Sequence, residues 1–251
     1  MKAKRDTSWG QVTDWYSEYL ETESDSYQSK VILPNLVRLL GKKPLRVLDI
    51  ACGQGFFTRA FAHAGHAVVG ADIAKELIAE AKKLSPKIEY HVAPADKLQF
   101  AKPESYDAAT VVLAIQNIEN MHGVFAEAAR VLASQGRLYL VMMHPAFRIP
   151  KSSSWGWDES GVQYRRVDAY LSEQRSELLV HPGQKNSPTT LSYHRSLQDF
   201  SKALGRAGFS ITKLEEWISH KESQKGPRQA AENKARKEIP LFLMLEATKL
   251  R

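Results

Sequence analysis

A single cysteine, Cys52, stands in a chain of 251 residues, so an internal disulfide and a cysteine-built zinc site are both excluded. Apolar residues never continue for the roughly eighteen positions that a membrane-spanning helix needs. The longest such run, Ala108 to Ile115, has the length of a strand. The opening residues, Met1-Lys2-Ala3-Lys4-Arg5-Asp6, are not followed by the apolar stretch of a secretory signal. These absences together give the expectation of a cytoplasmic protein without a membrane partner. There is no internal repeat, no low-complexity tract and no Ser-His-Asp signature. His144, His194 and His220 are too scattered to suggest a metal centre, so none is expected. The formal net charge is +7, but much of the excess is local. Between Lys221 and Glu238 six lysines and arginines face three glutamates, whereas a nucleic-acid binder would carry its basic charge as a broad surface. Nucleic acid is not the expected partner.

What the chain does contain is centred on Val47-Leu48-Asp49-Ile50-Ala51-Cys52-Gly53-Gln54-Gly55. It begins as the continuous apolar run of a buried parallel strand. The paired glycines end it, and Phe56 to Ala64 reads as a helix closed by Gly65. A strand, a tight glycine turn and a helix N-terminus let backbone approach a ligand closely. Ala67 to Asp72 then reads as a second strand ending in a carboxylate, at the spacing where an acidic residue meets ribose hydroxyls. Cys52, inside the turn, reads as a small packing residue rather than a nucleophile. The dinucleotide fingerprint wants a third glycine three positions after the second, where this chain has Thr58. A ligand with one ribose and no pyrophosphate is therefore favoured over a nicotinamide dinucleotide.

Asp49-x-Ala51-Cys52-Gly53-x-Gly55, with Asp72 closing the next strand, resembles the cofactor motif of class I S-adenosylmethionine-dependent methyltransferases. The resemblance covers Val47 to Val141 and, more loosely, the rest of the chain. It implies an α/β Rossmann-like fold: a seven-stranded, mostly parallel sheet with helices on both faces and the last strand antiparallel. An N-terminal helical cap and a lid insertion after the fifth strand complete it. The expected divisions are a cap over 1–44, a cofactor-binding core over 45–145, a lid over 146–193, and a C-terminal helix with two strands over 194–251 carrying a basic insertion at 220–240. The implied ligand is S-adenosylmethionine, with S-adenosylhomocysteine as product. Its expected contacts are Asp49, Ala51, Gly53, Gly55, Asp72 and Ile73. Ala95 and Asp96 belong to the loop that borders the adenine in this family, and Leu113 and Gln116 lie beside its reactive end. Tyr16 and Tyr27, on two N-terminal helices, reach the methionine end or else pack in the core.

Periodicity supplies the rest. Val12, Trp15, Tyr16, Tyr19 and Leu20 mark a first helix, Tyr27 to Leu40 a second, and Leu77 to Leu84 a third ended by Pro86. Ile88 to Val92 and Ala108 to Leu113 read as strands, Val124 to Leu132 as a helix, and Gly136 as the turn into a fifth strand ending at His144. Asn117 either orients a substrate or caps a helix. The insertion after the fifth strand is rich in aromatics, and Phe147, Trp155, Trp157 and Tyr193 are candidate walls of an acceptor site. Ser196-x-x-Asp199 reads as a helix N-terminus. Pro227 to Ile239 reads as a basic helix with Arg228, Glu232 and Arg236 spaced for pairing. His144 and His194 are candidate general bases, since both fall at the ligand edge of the sheet and imidazole titrates in the useful range. The expected activity is methyl transfer to a small anionic or aromatic molecule, through oxygen, nitrogen or carbon. An RNA methyltransferase and a non-catalytic S-adenosylmethionine-binding protein are the alternatives.

Overall fold

The computed structural model describes Trp9, residues 24–180 and residues 187–250. The first expected helix and Tyr16 lie outside the described residues. The second begins with one π-helical turn, Gln28–Ile32, and continues as α1, Leu33–Leu40, with Pro34 in its first turn and Gly41 (φ 80°) ending it. The sheet strands that follow are β1 (Arg46–Ile50), β2 (Ala67–Asp72), β3 (Glu89–Val92), β4 (Tyr106–Val112) and β5 (Leu132–Met143), interleaved with α2 (Phe56–His63), α3 (Lys75–Leu84) and α4 (Met121–Val131). The insertion after β5 forms two antiparallel hairpins, β6 (Ser153–Trp157) with β7 (Gln163–Val167), and β8 (Gln174–Leu179) with β9 (Thr189–His194). The chain then completes α5 (Leu197–Arg206), β10 (Phe209–Trp217), α6 (Gln229–Glu238) and β11 (Phe242–Lys249).

The seven strands lie in the order β10-β11-β5-β4-β1-β2-β3. Pairing from β3 through β5 is parallel, and β11 runs antiparallel between β5 and β10. This is the α/β Rossmann-like architecture expected from the sequence, a seven-stranded sheet with the last strand antiparallel. Each central strand is apolar on both sides because successive side chains point to opposite faces and both faces are covered. Leu48, Ile50, Leu138 and Leu140 pack with Phe125 of α4 and Phe200 and Leu204 of α5. Val47, Tyr139 and Val141 face the other way, against Ile32, Leu36 of α1 and Phe61 of α2.

Local departures from the sequence reading have simple causes. At the turn into β5 it is Gln135, not Gly136, that takes the left-handed conformation (φ 62°). Gly136 is there for space, since a Cβ would come 2.8 Å from the Ala133 carbonyl oxygen. The insertion carries strands that its irregular aromatic spacing did not reveal. Glu232 forms no ion pair with Arg228 or Arg236 among the described residues. Instead Arg236 donates to Ser223 Oγ at 3.1 Å, and Arg228 stands 5.1 Å over the ring of Trp157. No helix of the described residues is long and apolar enough to cross a membrane.

Tyr90 of β3 wedges its ring beneath the glycine turn, and its hydroxyl bonds Ser85 Oγ at 2.9 Å. A Cβ on Gly70 would meet that ring at 2.6 Å and Cys52 Sγ at 3.0 Å. Gly70→Ala is expected to lower the unfolding free energy by about 1–3 kcal/mol, the usual cost of overpacking, read from urea melts. A wild-type midpoint would mean that the ring swings aside at no cost.

Candidate functional site

The C-terminal ends of β1, β2 and β4 open onto one cavity of about 390 Å³. Its floor is built on Asp49, which is almost wholly buried. The carboxylate survives there because two hydroxyls donate to it: Thr58 of α2 to Oδ2 at 2.6 Å and Thr110 of β4 to Oδ1 at 2.7 Å. Thr58 is the residue that replaces the third glycine of the dinucleotide motif. Burial nevertheless raises the Asp49 carboxyl from 3.8 to about 6. Asp72, at the end of β2, accepts the backbone N–H of Gly53 on Oδ2 at 2.9 Å and that of Ala74 on Oδ1 at 2.8 Å. Each of its oxygens keeps a further lone pair. Burial raises its pKa as well, with those backbone N–H groups opposing the shift.

Ala51 (φ 57°) and Leu113 (φ 54°), the residues just past β1 and β4, are left-handed without being glycine. Both line the cavity. Such conformations cost of order 1–3 kcal/mol each and persist where the surroundings over-determine them, often at ligand sites. Gly53 (φ 58°) and Gly55 (φ 83°) complete the turn. Gly55 itself is not in the lining, but its Cβ would come 2.6 Å from the Tyr90 hydroxyl. Phe56, Phe57, Ile73, Leu77, Ile118, Thr190 and Leu191 give the cavity its largely apolar walls. Asp49 and Asp72 are its carboxylates, and no lysine or arginine lines it among the described residues.

The other predicted residues fall into distinct groups. Asn117 lines the cavity and donates to the Leu191 carbonyl at 2.8 Å. The cap of α4 is Asn120 rather than Asn117, with its side chain accepting from Gly123 N–H. Gln116 closes on the Met143 backbone, accepting its N–H at 3.0 Å and donating to its carbonyl at 3.3 Å. It fixes the loop after β4 to the end of β5 without lining the cavity. Asp96 accepts from Asn120 Nδ2 at 2.8 Å, and Ala95 is core, so neither forms part of the lining. Tyr27 turns to the sheet, with Oη 3.1 Å from Ser219 Oγ. Its neighbour Gln28 takes the place at the cavity wall, as does Trp9.

The two candidate bases are committed elsewhere. His144 Nδ1 accepts from Ala146 N–H at 3.2 Å, which leaves the ring proton on Nε2, donated to Glu216 at 2.7 Å. Burial lowers its pKa against the pull of Glu216. His194 Nε2 bonds the Tyr170 carbonyl at 2.7 Å, so it too must carry its proton there. Neither imidazole lines the cavity. Phe147 packs on the His144 ring at 4.7 Å, Trp155 lies beneath Arg148 and Arg165, Trp157 beneath Arg228, and buried Tyr193 beneath Arg195. Trp155, Trp157 and Tyr193 are thus platforms for arginine. Its contribution to the cavity comes from Thr190 and Leu191, which the sequence reading passed over.

Known proteins match this arrangement. Residues 48–140 fit the model of the methyltransferase domain family. A demethylmenaquinone methyltransferase from Renibacterium salmoninarum is 33% identical over 103 residues, covering 41% of this chain and 43% of that protein. A ubiquinone biosynthesis O-methyltransferase from Xanthomonas campestris pv. campestris is 30% identical over 99 residues, covering 38% and 41%. The match thus spans less than half the length of these curated relatives. The crystal structure of an S-adenosylmethionine-dependent methyltransferase from Mesorhizobium loti superposes with a TM-score of 0.71 at 26% identity, over 92% of this chain and 100% of that one. Over residues 48–140 the chain is thus similar to the methyltransferase domain family, and its fold is similar to that of this solved S-adenosylmethionine-dependent methyltransferase.

The cofactor of such methyltransferases fits the cavity chemically. S-adenosylmethionine is a cationic nucleoside without phosphates, and the cavity offers two carboxylates, bare turn backbone, apolar walls and no cation for a pyrophosphate. Asp72 would take the ribose hydroxyls on its remaining lone pairs, and Asp49 would face the positive end. A cation stabilises the ionised form of Asp49, so affinity for S-adenosylmethionine is expected to fall as pH drops through about 6, where the empty protein takes up a proton there. Calorimetry across that range reads the slope. Asp49→Asn should weaken binding and remove the slope; a slope that survives the substitution would assign it to another group.

Proposed function

We propose that this protein transfers the methyl group of S-adenosylmethionine to a small organic acceptor, by in-line displacement on a carbon activated by the positive sulfur. The observation that carries a small acceptor is the wall formed by hairpin β8–β9. Thr190 and Leu191 line the cavity, and Asn117 pins Leu191 from the loop after β4. A covered apolar chamber suits a small molecule and keeps water from the reacting centre. The names of the two curated relatives, which refer to menaquinone and ubiquinone methylation steps, support the same class.

Alignment is then the main catalytic task. The Gly53–Gly55 turn and the strained backbone at Ala51 and Leu113 define one face of the site, and Asp72 orients the ribose. Among the described residues the titratable side chains of the lining are Asp49, Cys52 and Asp72. The two carboxylates are tied to hydroxyls and amides, and burial pushes the Cys52 thiol up. An acceptor that arrives ionised, or that sheds its proton to solvent, fits this lining better than one needing a protein base.

The test is transfer of labelled methyl from S-adenosylmethionine into a cell extract, separated into small-molecule and RNA fractions. Label is expected in the small molecules, and Asp72→Ala should weaken cofactor binding by about tenfold or more, about 1.4 kcal/mol. Label confined to RNA would overturn the small-acceptor reading. Tight cofactor binding with no transfer into either fraction would favour the non-catalytic alternative.

A further inference from the structure

Three arginines from three different elements converge on the insertion, and none of them has a carboxylate partner among the described residues. Arg148 lies on the segment that leaves β5, Arg165 on β7 and Arg236 on α6, the helix that packs against β7. The guanidinium of Arg148 stands 5.0 Å from the centre of the Trp155 ring, and that of Arg165 lies 5.3 Å from the same ring. Arg165 is locked by bonds to the Phe147 carbonyl and Ser153 Oγ, both 2.7 Å. Arg148 is different. Its Nε is buried and has no hydrogen-bond partner, and no carboxylate of the described residues pairs with Arg148, Arg165 or Arg236.

Nearby acids are engaged by other groups. Glu216 accepts from His144, and Asp25 faces His220 and Lys221. Burial and the like charges of Arg165 and Arg236 push the Arg148 guanidinium down to about 10. A half-buried cation with an idle donor and two like neighbours is costly to keep unless something else compensates it. A planar oxyanion is the natural complement, because guanidinium forks match carboxylate and phosphate geometry.

The cluster is also in the right place. Arg148 follows β5 by five residues, and the end of β5 is bound to Gln116 of the loop whose next residue, Asn117, lines the cavity. The Arg148 backbone N–H donates to the His144 carbonyl at 2.8 Å, which keeps it within one turn of the end of β5. We propose that Arg148 and Arg165, ordered by the Trp155 ring, together with Arg236, held by Ser223, bind an oxyanion group (carboxylate or phosphate) of the methyl acceptor. This rests on the small-acceptor reading and deepens it. The two ligands are then sorted by sign: the cationic cofactor goes to the cavity with carboxylates and no lysine or arginine among the described residues, the anionic acceptor to a flank where Arg148, Arg165 and Arg236 outnumber the carboxylates Glu222 and Glu232 beside Arg236.

The test begins with protein loaded with S-adenosylhomocysteine and titrated calorimetrically, at fixed ionic strength, with benzoate, inorganic phosphate and neutral benzamide. At least one anion is expected to bind and benzamide is not. Arg148→Gln and Arg165→Gln should each weaken the anion by about tenfold or more while changing S-adenosylhomocysteine affinity by less than about twofold. Arg236→Ala, on an outer helix, gives the same readout should Arg148→Gln fail to fold. No anion binding by the loaded protein, or binding that survives these substitutions, would overturn the proposal. In the labelled-methyl assay the product should be retained on an anion-exchange resin. Label found only in unretained small molecules would also overturn it, leaving the small-molecule reading intact. Failure of S-adenosylhomocysteine to bind the wild type would instead remove the cofactor reading, and this proposal with it.

Discussion

A buried carboxylate clasped by two threonine hydroxyls is the interaction on which the site depends. Asp49 sits at the centre of the sheet, with β2 on one side and β4 on the other. Its two oxygens are bound by Thr58, one turn into α2, and Thr110, within β4. One side chain therefore ties together a strand, its neighbouring strand and the helix that follows the glycine turn. The turn cannot relax away from the sheet without costing a buried acid its Thr58 donor. Leaving such groups unpaired costs of the order of 1–3 kcal/mol each, more when charged. That grip accounts for the left-handed backbone at Ala51, two residues on, which an isolated chain would shed.

The second carboxylate repeats the logic one strand further out. Asp72 receives backbone N–H groups from the turn after β1 and from its own loop, so the ends of β1 and β2 are fixed relative to each other by the groups that face the cavity. Rigid placement matters because methyl transfer relies on alignment more than on proton transfer. It also explains why the two histidines can serve as struts. His144 binds β5 to β10 through Glu216, and His194 binds β9 to the Tyr170 carbonyl. His144 sits just past the end of β5 and His194 at the end of β9, and each directs its proton into the scaffold.

The cofactor half of this molecule was legible in the sequence because it is local. A strand, two glycines and an acidic residue at the next strand end are fixed by short-range geometry, and Asp49, Ala51, Gly53, Asp72, Ile73 and Leu113 all reach the cavity. Thr58 was visible only as a missing glycine. Its bond to Asp49 spans a turn, and the partner Thr110 is 61 residues from Asp49, a pairing that only sheet order creates. The acceptor half was less legible for the same reason. Aromatics at 147, 155, 157 and 193 announced an insertion with a purpose, but their partners are His144 for Phe147 and, for the others, arginines from the segment after β5, from β7, from the residue before α6 and from the segment after β9. No periodicity encodes those meetings. The two hairpins were missed because exposed two-stranded ribbons alternate weakly, and a turn such as Asp158 to Gly161 (φ 80°) closes a strand pair only if the flanking residues are already known to be extended.

The way the insertion is fastened separates acceptor choice from cofactor binding. Asn117 holds β9 through the Leu191 carbonyl. Arg195, buried and stacked on Tyr193, holds the loop after β4 through the carbonyls of Ile118 and Glu119, at 3.1 and 2.6 Å. Three backbone carbonyls thus carry the junction, and a carbonyl is present whatever side chain the residue bears. The Leu191 side chain can then differ without loosening the wall, whereas Thr190 Oγ1 itself accepts from Asn117 Nδ2 at 3.4 Å. The chamber's shape on the acceptor side is set in part by a side chain that the anchoring does not use, while Asp49, Thr58, Thr110 and Asp72 hold the cofactor side by side-chain bonds that admit no such freedom.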